Sequence, residues 1–224
     1  MEPTVFIDIA NNPDAPIVVL HAHNYDERFD VRVGLVKYNV PEYTMITVTD
    51  IDWNNDLTPW KADAIMKGQA PFGGKADAYV SKLMNDILPD SLKGLKATPK
   101  AIYIAGYSLA GLFSLYSLYK TTVFKGAACC SGSLWYPGFT DYVENSDFLR
   151  KPERLYLSLG DRESHTKNEV MSTVEDNTKK IYENYKEQGI EAEFEMTPGG
   201  HFDHPAGRLA KGIAYLLTGG KQIQ

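Results

Sequence analysis

Short apolar runs alternate along this chain with stretches whose apolar residues recur every three or four positions, which predicts strands and helices in turn. Candidate strands cover residues 4–8, 16–21, 44–48, 101–105, 126–130 and 154–159. Most are unbroken apolar runs, the pattern of strands covered by helices on both faces of a mostly parallel sheet. Residues 190–196, IEAEFEM, differ. Their strict alternation puts Glu191, Glu193 and Glu195 on one side, predicting a strand near the sheet edge with one wet face. Three helical faces are equally legible. Ala76, Tyr79, Val80, Leu83, Met84 and Ile87 share the first, and Pro89 is expected to end that helix. Met171, Val174, Thr178, Ile181 and Tyr185 share the second, closed by Gly189. Ala206, Leu209, Ile213 and Leu216 share the third, opened by Pro205 and closed by Gly219 and Gly220. This order predicts one α/β domain over residues 1–224, with helices on both faces of a mostly parallel central sheet. The longest irregular piece, residues 50–74, exceeds an ordinary connection and is expected to carry function.

One junction leaves no room for a connection at all. Residues 101–105 read as a strand, a helix rich in Leu, Phe and Tyr runs on to Lys120, and only GYSLAG lies between them. A serine on so sharp a turn takes strained dihedral angles and holds its hydroxyl above the carboxyl ends of the strands. Its neighbours must be small to avoid collision, which Gly106, Ala110 and Gly111 satisfy. Alanine stands at 110 where the G-x-S-x-G pattern has glycine, an addition of one methyl group. Glycine–serine–glycine patterns also arise by chance in strand-to-helix turns, and the flanking strand and helix are what give this one meaning. Ser108 is therefore the candidate nucleophile. The N–H groups of the following helix, that of Leu109 above all, are candidate donors to an oxyanion.

A serine needs a base, and the base needs an orienting acid. In hydrolases built around such a turn the chain order is serine, acid, histidine. Of the five histidines, His201 lies in the loop between the last strand and the last helix, where the base belongs; His204 caps the helix or faces water. For the acid, the strand at 154–159 runs into Gly160, Asp161, Arg162 and Glu163. Asp161 and Glu163 both qualify, and spacing from Gly160 with one extra methylene of reach favours Glu163. The second oxyanion donor is expected from the loop after His21, at the N–H of His23 or Asn24, with Ala22 as the small residue of that turn.

Composition narrows the alternatives. Lys and Arg total 23 against 29 Asp and Glu, and a net charge of −6 argues against binding a nucleic-acid backbone. No apolar run approaches the roughly 20 residues that span a bilayer, so no membrane partner is expected. The N-terminal MEPTVFID carries an acid where a signal peptide carries positive charge, giving a cytoplasmic expectation. Cys129 and Cys130 are adjacent, are badly placed to bridge distant segments, and read as small buried hydrophobes. A rival enzyme reading makes the chain a metallohydrolase holding one or two ions with His21, His23 and Asp26, joined by His201, Asp203 and His204. Asn24 and Tyr25 break the His-x-His-x-Asp-His spacing of a binuclear site, and the serine turn would then be without purpose. A third reading keeps the scaffold for ligand binding without catalysis. The residues of all three catalytic roles weigh against it, and a turnover assay separates the two.

With GYSLAGL at 106–112, SGSLWYPGF at 131–139, LSLGDRE at 157–163 and GGHF at 199–202, the chain resembles the putative-esterase branch of the α/β-hydrolases. That group includes enterochelin esterase-like and feruloyl esterase-like enzymes, and the similarity covers nearly the whole chain. The resemblance implies an α/β-hydrolase fold and a serine esterase that cleaves a small-molecule ester with a Ser-His-acid triad and no cofactor or metal. It implies neither the natural ester nor the oligomeric state. DLTPWKA and FGGKADAYV also resemble family features of the segment feeding the active site. At this length neither a large lid nor an N-terminal substrate domain is expected. Trp53, Trp60 and Phe72 of the 50–74 segment, with Trp135 and Tyr136, either line the pocket for a ring-bearing or extended acyl group or pack that segment onto the domain.

Overall fold

In the computed structural model, which describes residues 2–93, 95 and 98–220, the apolar runs form a seven-stranded sheet. Its strands are β1 (Thr4–Asp8), β2 (Ile17–His21), β3 (Thr44–Thr49), β6 (Ile102–Tyr107), β7 (Phe124–Cys130), β8 (Arg154–Gly160) and β9 (Glu191–Thr197). They lie in the order β1-β3-β2-β6-β7-β8-β9. Only β1 runs antiparallel to its neighbour, so the sheet is mostly parallel, as its unbroken apolar strands predicted. β9, the strand of alternating glutamates, takes one edge.

Side chains alternate along each strand, and this sorts the core onto two faces. Ile17, Val19, Ile104, Ala127, Leu155 and Leu157 point one way. Over them lie α3 (Ala76–Lys82), α4 (Leu88–Lys93), α5 (Leu109–Ser117), α6 (Phe139–Asn145) and α8 (Val174–Glu187). Val18, Leu20, Tyr103, Ala105, Ala128 and Tyr156 point the other way, beneath α1 (Tyr25–Val36) and α9 (Pro205–Thr218). Helices thus cover both faces of an α/β-hydrolase-type sheet. The adjacent cysteines obey the same alternation: Cys129 enters one core and Cys130 the other, both buried and unbridged. Leu209, Ile213 and Leu216 of α9 are fully buried, each contributing roughly 1.5–3 kcal/mol of transfer free energy.

Three features depart from the sequence pattern. Pro89 does not end its helix. A π-helical turn at Leu83–Ile87 joins α3 to α4, and this wider turn absorbs the N–H that proline lacks. The 50–74 segment is not wholly irregular either: it holds the short helix α2 (Trp53–Asp56) and a ribbon of β4 (Lys61–Ala62) with β5 (Phe72–Gly73). Helix α1 gave no clear stripe, because Arg28 is buried in it while Tyr25, Phe29, Val33 and Val36 are exposed. The Arg28 guanidinium lies over the rings of Phe6, Tyr25 and Phe29 and pairs with Asp8, so an apolar-facing arginine is held where a leucine would be expected. A short α7 (Glu169–Ser172) precedes α8. Among the described residues no helix is long and apolar enough to cross a membrane.

Candidate active site

The turn between β6 and α5 carries its strain on the serine. Ser108 has φ 57° and ψ −123°, a conformation that only glycine adopts at little cost. What makes the turn possible is the empty space at Gly106. A Cβ there would stand 2.3 Å from the carbonyl oxygen of Ala110 and 2.6 Å from its methyl group. The Ala110 methyl therefore occupies room that Gly106 leaves, and alanine serves where glycine is usual. Strained backbone recurs along this rim: Asp50 and Ser131, each directly after a strand, also have positive φ.

Three elements then converge. Oγ of Ser108 lies 3.1 Å from Nε2 of His201, in the loop between β9 and α9. Nδ1 of the same imidazole lies 2.7 Å from Oε2 of Glu163, in the loop after β8. The other carboxylate oxygen, Oε1, accepts from Ser131 Oγ at 2.7 Å, the Gly160 N–H at 2.7 Å and Arg208 Nη1 at 2.9 Å. Burial pushes the Glu163 carboxyl up, but the hydrogen bonds from His201, Ser131 and Gly160 outweigh it and hold it below its ordinary value. Asp161, the other acid considered, is not brought to the imidazole. Its Oδ1 accepts from the Gly199 N–H at 2.9 Å and braces the loop that carries His201. Gly160 is fixed by the same crowding, since a Cβ would stand 2.4 Å from Gly199 O.

A cleft of about 580 Å³ opens over Ser108 and His201. Trp53, Phe72 and Trp135 line it, with Ile65, Met66 and Met171. Trp60 and Tyr136 are not among its lining residues. The Trp60 indole donates to Pro137 O at 2.9 Å and the Tyr136 hydroxyl to Trp60 O at 2.5 Å, so this pair closes the segment onto the domain. The start of α1 also lines it, with Asp26, Glu27 and Asp30. Leu109 opens α5 at the cleft, where the first N–H groups of a helix have no partner within it. In the turn after β2, the His23 N–H donates to Glu27 Oε2 at 2.8 Å, while the Asn24 side chain caps α1. Burial pushes the Glu27 carboxyl up, against the opposing effect of that N–H.

Of the histidines in the metal reading, His23 and His201 line the cleft, whereas His21 and His204 do not. His21 is wholly buried, with Nε2 3.0 Å from the Tyr79 hydroxyl and its ring edge-on to Tyr79 and Phe113; burial lowers its pKa to about 3. His23 stacks on Trp53 at 3.6 Å between ring centres. His204 sits at the cap of α9 in a left-handed conformation, with no side-chain bond to the helix. Among the described residues no three His, Cys, Asp or Glu side chains are grouped to hold a metal ion.

Residues that the sequence did not single out complete the surroundings. Ser133 is buried with its Oγ 3.3 Å from that of Ser108, and its N–H donates to Ser108 O. Tyr107 donates its hydroxyl to His201 O at 2.6 Å. Ser131 and Ser133 fall within the SGSLWYPGF stretch, so a signal existed for them; Arg208 had none, being one of two basic residues of α9 with Lys211.

Residues 9–204 match the family model described as Putative esterase. The chain is 26% identical over 154 residues to Uncharacterized protein YbbA of Bacillus subtilis (strain 168), an alignment covering 67% of this chain and 62% of that relative. It thus spans under two thirds of the relative's length. Among solved structures, an IroE-like serine hydrolase from Shewanella oneidensis matches with a TM-score of 0.78 at 17% identity, over 95% of this chain and 75% of that one. The siderophore hydrolase EstA of Aspergillus nidulans gives 0.70 at 19% identity, over 92% and 84%. The enterobactin esterase FES of Shigella flexneri, solved in the presence of enterobactin, gives 0.72 at 18% identity, over 95% and 54%. At these identities the structural likeness speaks to the fold alone.

Proposed function

The chain belongs to the Putative esterase family, and from that membership we propose that it hydrolyses carboxylic esters of small molecules through an acyl-enzyme on Ser108. The observation that carries this reading is the continuous relay from Ser108 Oγ through His201 to Glu163, at 3.1 and 2.7 Å. His201 Nε2 takes the serine proton as Oγ attacks the ester carbonyl, and then delivers it to the departing alcohol. Water, activated by the same nitrogen, releases the acid and restores the serine. Glu163 holds Nδ1–H, which fixes the tautomer and offsets the charge of the imidazolium while it lasts.

The tetrahedral intermediate needs donors aimed at its oxyanion. The Leu109 N–H, at the start of α5, supplies one. Engagement of the His23 N–H by Glu27 supports Asn24 as the second donor from the turn after β2. Trp53, Phe72 and Trp135 give the cleft an aromatic wall suited to a ring-bearing or extended acyl group. Trp60 and Tyr136 act behind it, as supports of the loop.

A fluorophosphonate probe tests the reading. It should label the protein, with the adduct on Ser108 by mass spectrometry, and the same preparation should turn over p-nitrophenyl esters across a range of acyl chains. Labelling elsewhere, or turnover that survives Ser108→Ala, would remove the acyl-enzyme mechanism. Labelling without turnover of any ester would favour a ligand-binding scaffold.

A further inference from the structure

Arg208 lies four residues after the cap of α9, and its side chain is 3% exposed directly beneath the catalytic relay. Taking a guanidinium out of water is costly unless its donors meet fixed acceptors, one of them anionic. Arg208 meets four. Nη1 lies 2.9 Å from Glu163 Oε1, 2.8 Å from Ser131 Oγ and 2.9 Å from the Tyr107 hydroxyl, while Nη2 donates to Pro198 O at 3.2 Å. Two of these partners lead back to the histidine. Glu163 holds its ring by Oε2, and Tyr107 holds its backbone carbonyl at 2.6 Å.

We propose that Arg208 is a positioning residue of the relay, whose buried charge on Glu163 Oε1 offsets the field of that carboxylate at His201 and leaves Oε2 to hold Nδ1. The inference rests on the esterase reading above. Its argument is electrostatic. A buried carboxylate beside an imidazole favours the imidazolium, which cannot act as a base. A guanidinium on the far oxygen of that carboxylate draws off part of its field, leaving enough to orient Nδ1–H. The hydrogen bond also decides which oxygen faces the imidazole, because Oε1 already holds three donors.

Other charged or titratable groups stand around the pair. His23 approaches from the turn after β2, Tyr107 from β6, Cys129 from β7, and Asp161, Arg162 and Asp203 from the loops beside His201. Arg162 and Asp203 pair with each other at the surface, 3.2 Å apart. Burial pushes the Tyr107 hydroxyl up to about 12 and the Cys129 thiol well up, so both are uncharged in the working range.

The test is the pH profile of kcat/KM for the wild type, Arg208→Lys, Arg208→Gln and Arg208→Met, with melting temperatures measured alongside. The two neutral variants should move the acidic limb to higher pH by about one unit, and lower kcat roughly 10- to 100-fold with little change in KM. Arg208→Lys keeps the charge and should keep the limb near its wild-type place, losing kcat through geometry alone. A purely structural role lowers activity equally at every pH. Unmoved limbs in the neutral variants, or the same displacement in Arg208→Lys, would overturn the proposal, as would failure of both neutral variants to fold. Ser108→Ala separates this from the reading beneath it: if that variant is dead and the limbs do not move, only the role of Arg208 falls.

Discussion

Oε2 of Glu163 lies 2.7 Å from Nδ1 of His201, while Asp161, two residues earlier, turns its carboxylate to the Gly199 N–H. The two acids differ in direction as well as reach. Glu163→Gln should therefore lower kcat by about 10⁴-fold, and should also lower the melting temperature because the buried Arg208 guanidinium loses its carboxylate. Asp161→Asn should cost only a few-fold, through a looser histidine loop. Steady-state kinetics on one ester rank the two, and the reverse ranking would move the orienting role to Asp161.

Ser108 stores strain that its own removal should release. At φ 57° and ψ −123° it costs roughly 1–3 kcal/mol that glycine would not. Ser108→Gly should be inactive and more stable, by about 1 kcal/mol after the greater chain entropy of glycine is set against it. Calorimetry should show its melting point about 2–4 °C above that of the wild type. A lower melting point would mean that the serine conformation is not strained.

His21 should make the protein acid-sensitive without touching catalysis. Its pKa falls from 6.5 to about 3 on folding because the ring is buried. The unfolded chain thus binds the extra proton between these values, and stability falls as pH drops below 6.5. The loss approaches about 1.4 kcal/mol per pH unit, or about 2 kcal/mol from pH 6.5 to 5. Urea unfolding across that range should show this difference between the wild type and His21→Gln, in which the slope from this site disappears. The depressed Glu163 carboxyl adds its own loss only at more acidic pH, below its ordinary 4.5. Equal slopes in the two proteins would mean that His21 is not buried neutral.

Asp26, Glu27 and Asp30 line the cleft, and among the described residues no lysine or arginine does. Esters with neutral acyl groups should therefore be cleaved faster than matched esters whose acyl group ends in a carboxylate. The gap should narrow as salt rises. Asp26→Asn combined with Asp30→Asn should narrow it at low salt as well. Equal rates for the two esters at low ionic strength would remove the acidic wall from any account of selectivity.

The sequence revealed the parts of the site that hard sterics dictate. Nothing larger than glycine fits at 106, so the serine turn was written in local composition, and His201 followed from its place between a strand and a helix. Glu163 was favoured over Asp161 by spacing and reach, yet which carboxylate meets the imidazole depends on how two separate loops cross. The buried arginines stayed hidden. Arg28 and Arg208 become core residues only through partners distant in sequence, Asp8 and the Phe6 ring for one, Glu163 and Tyr107 for the other. The aromatic residues divided for a similar reason. Phe72 and Trp135 reach the cleft, whereas the Trp60 indole donates to Pro137 O and the Tyr136 hydroxyl to Trp60 O.

The glutamates of β9 also bear on how copies of the protein meet. An edge strand offers unpaired backbone donors and acceptors, which a strand from another molecule could extend into a continuous intermolecular sheet. Glu191 and Glu193 stand exposed along this border, while Glu195 is held by Tyr156 and Lys211. A second β9 brought alongside would set carboxylate against carboxylate, which like-charge repulsion disfavours. The edge is thereby guarded against growth into aggregates, and replacing Glu191 and Glu193 with threonine should lower solubility before it lowers activity.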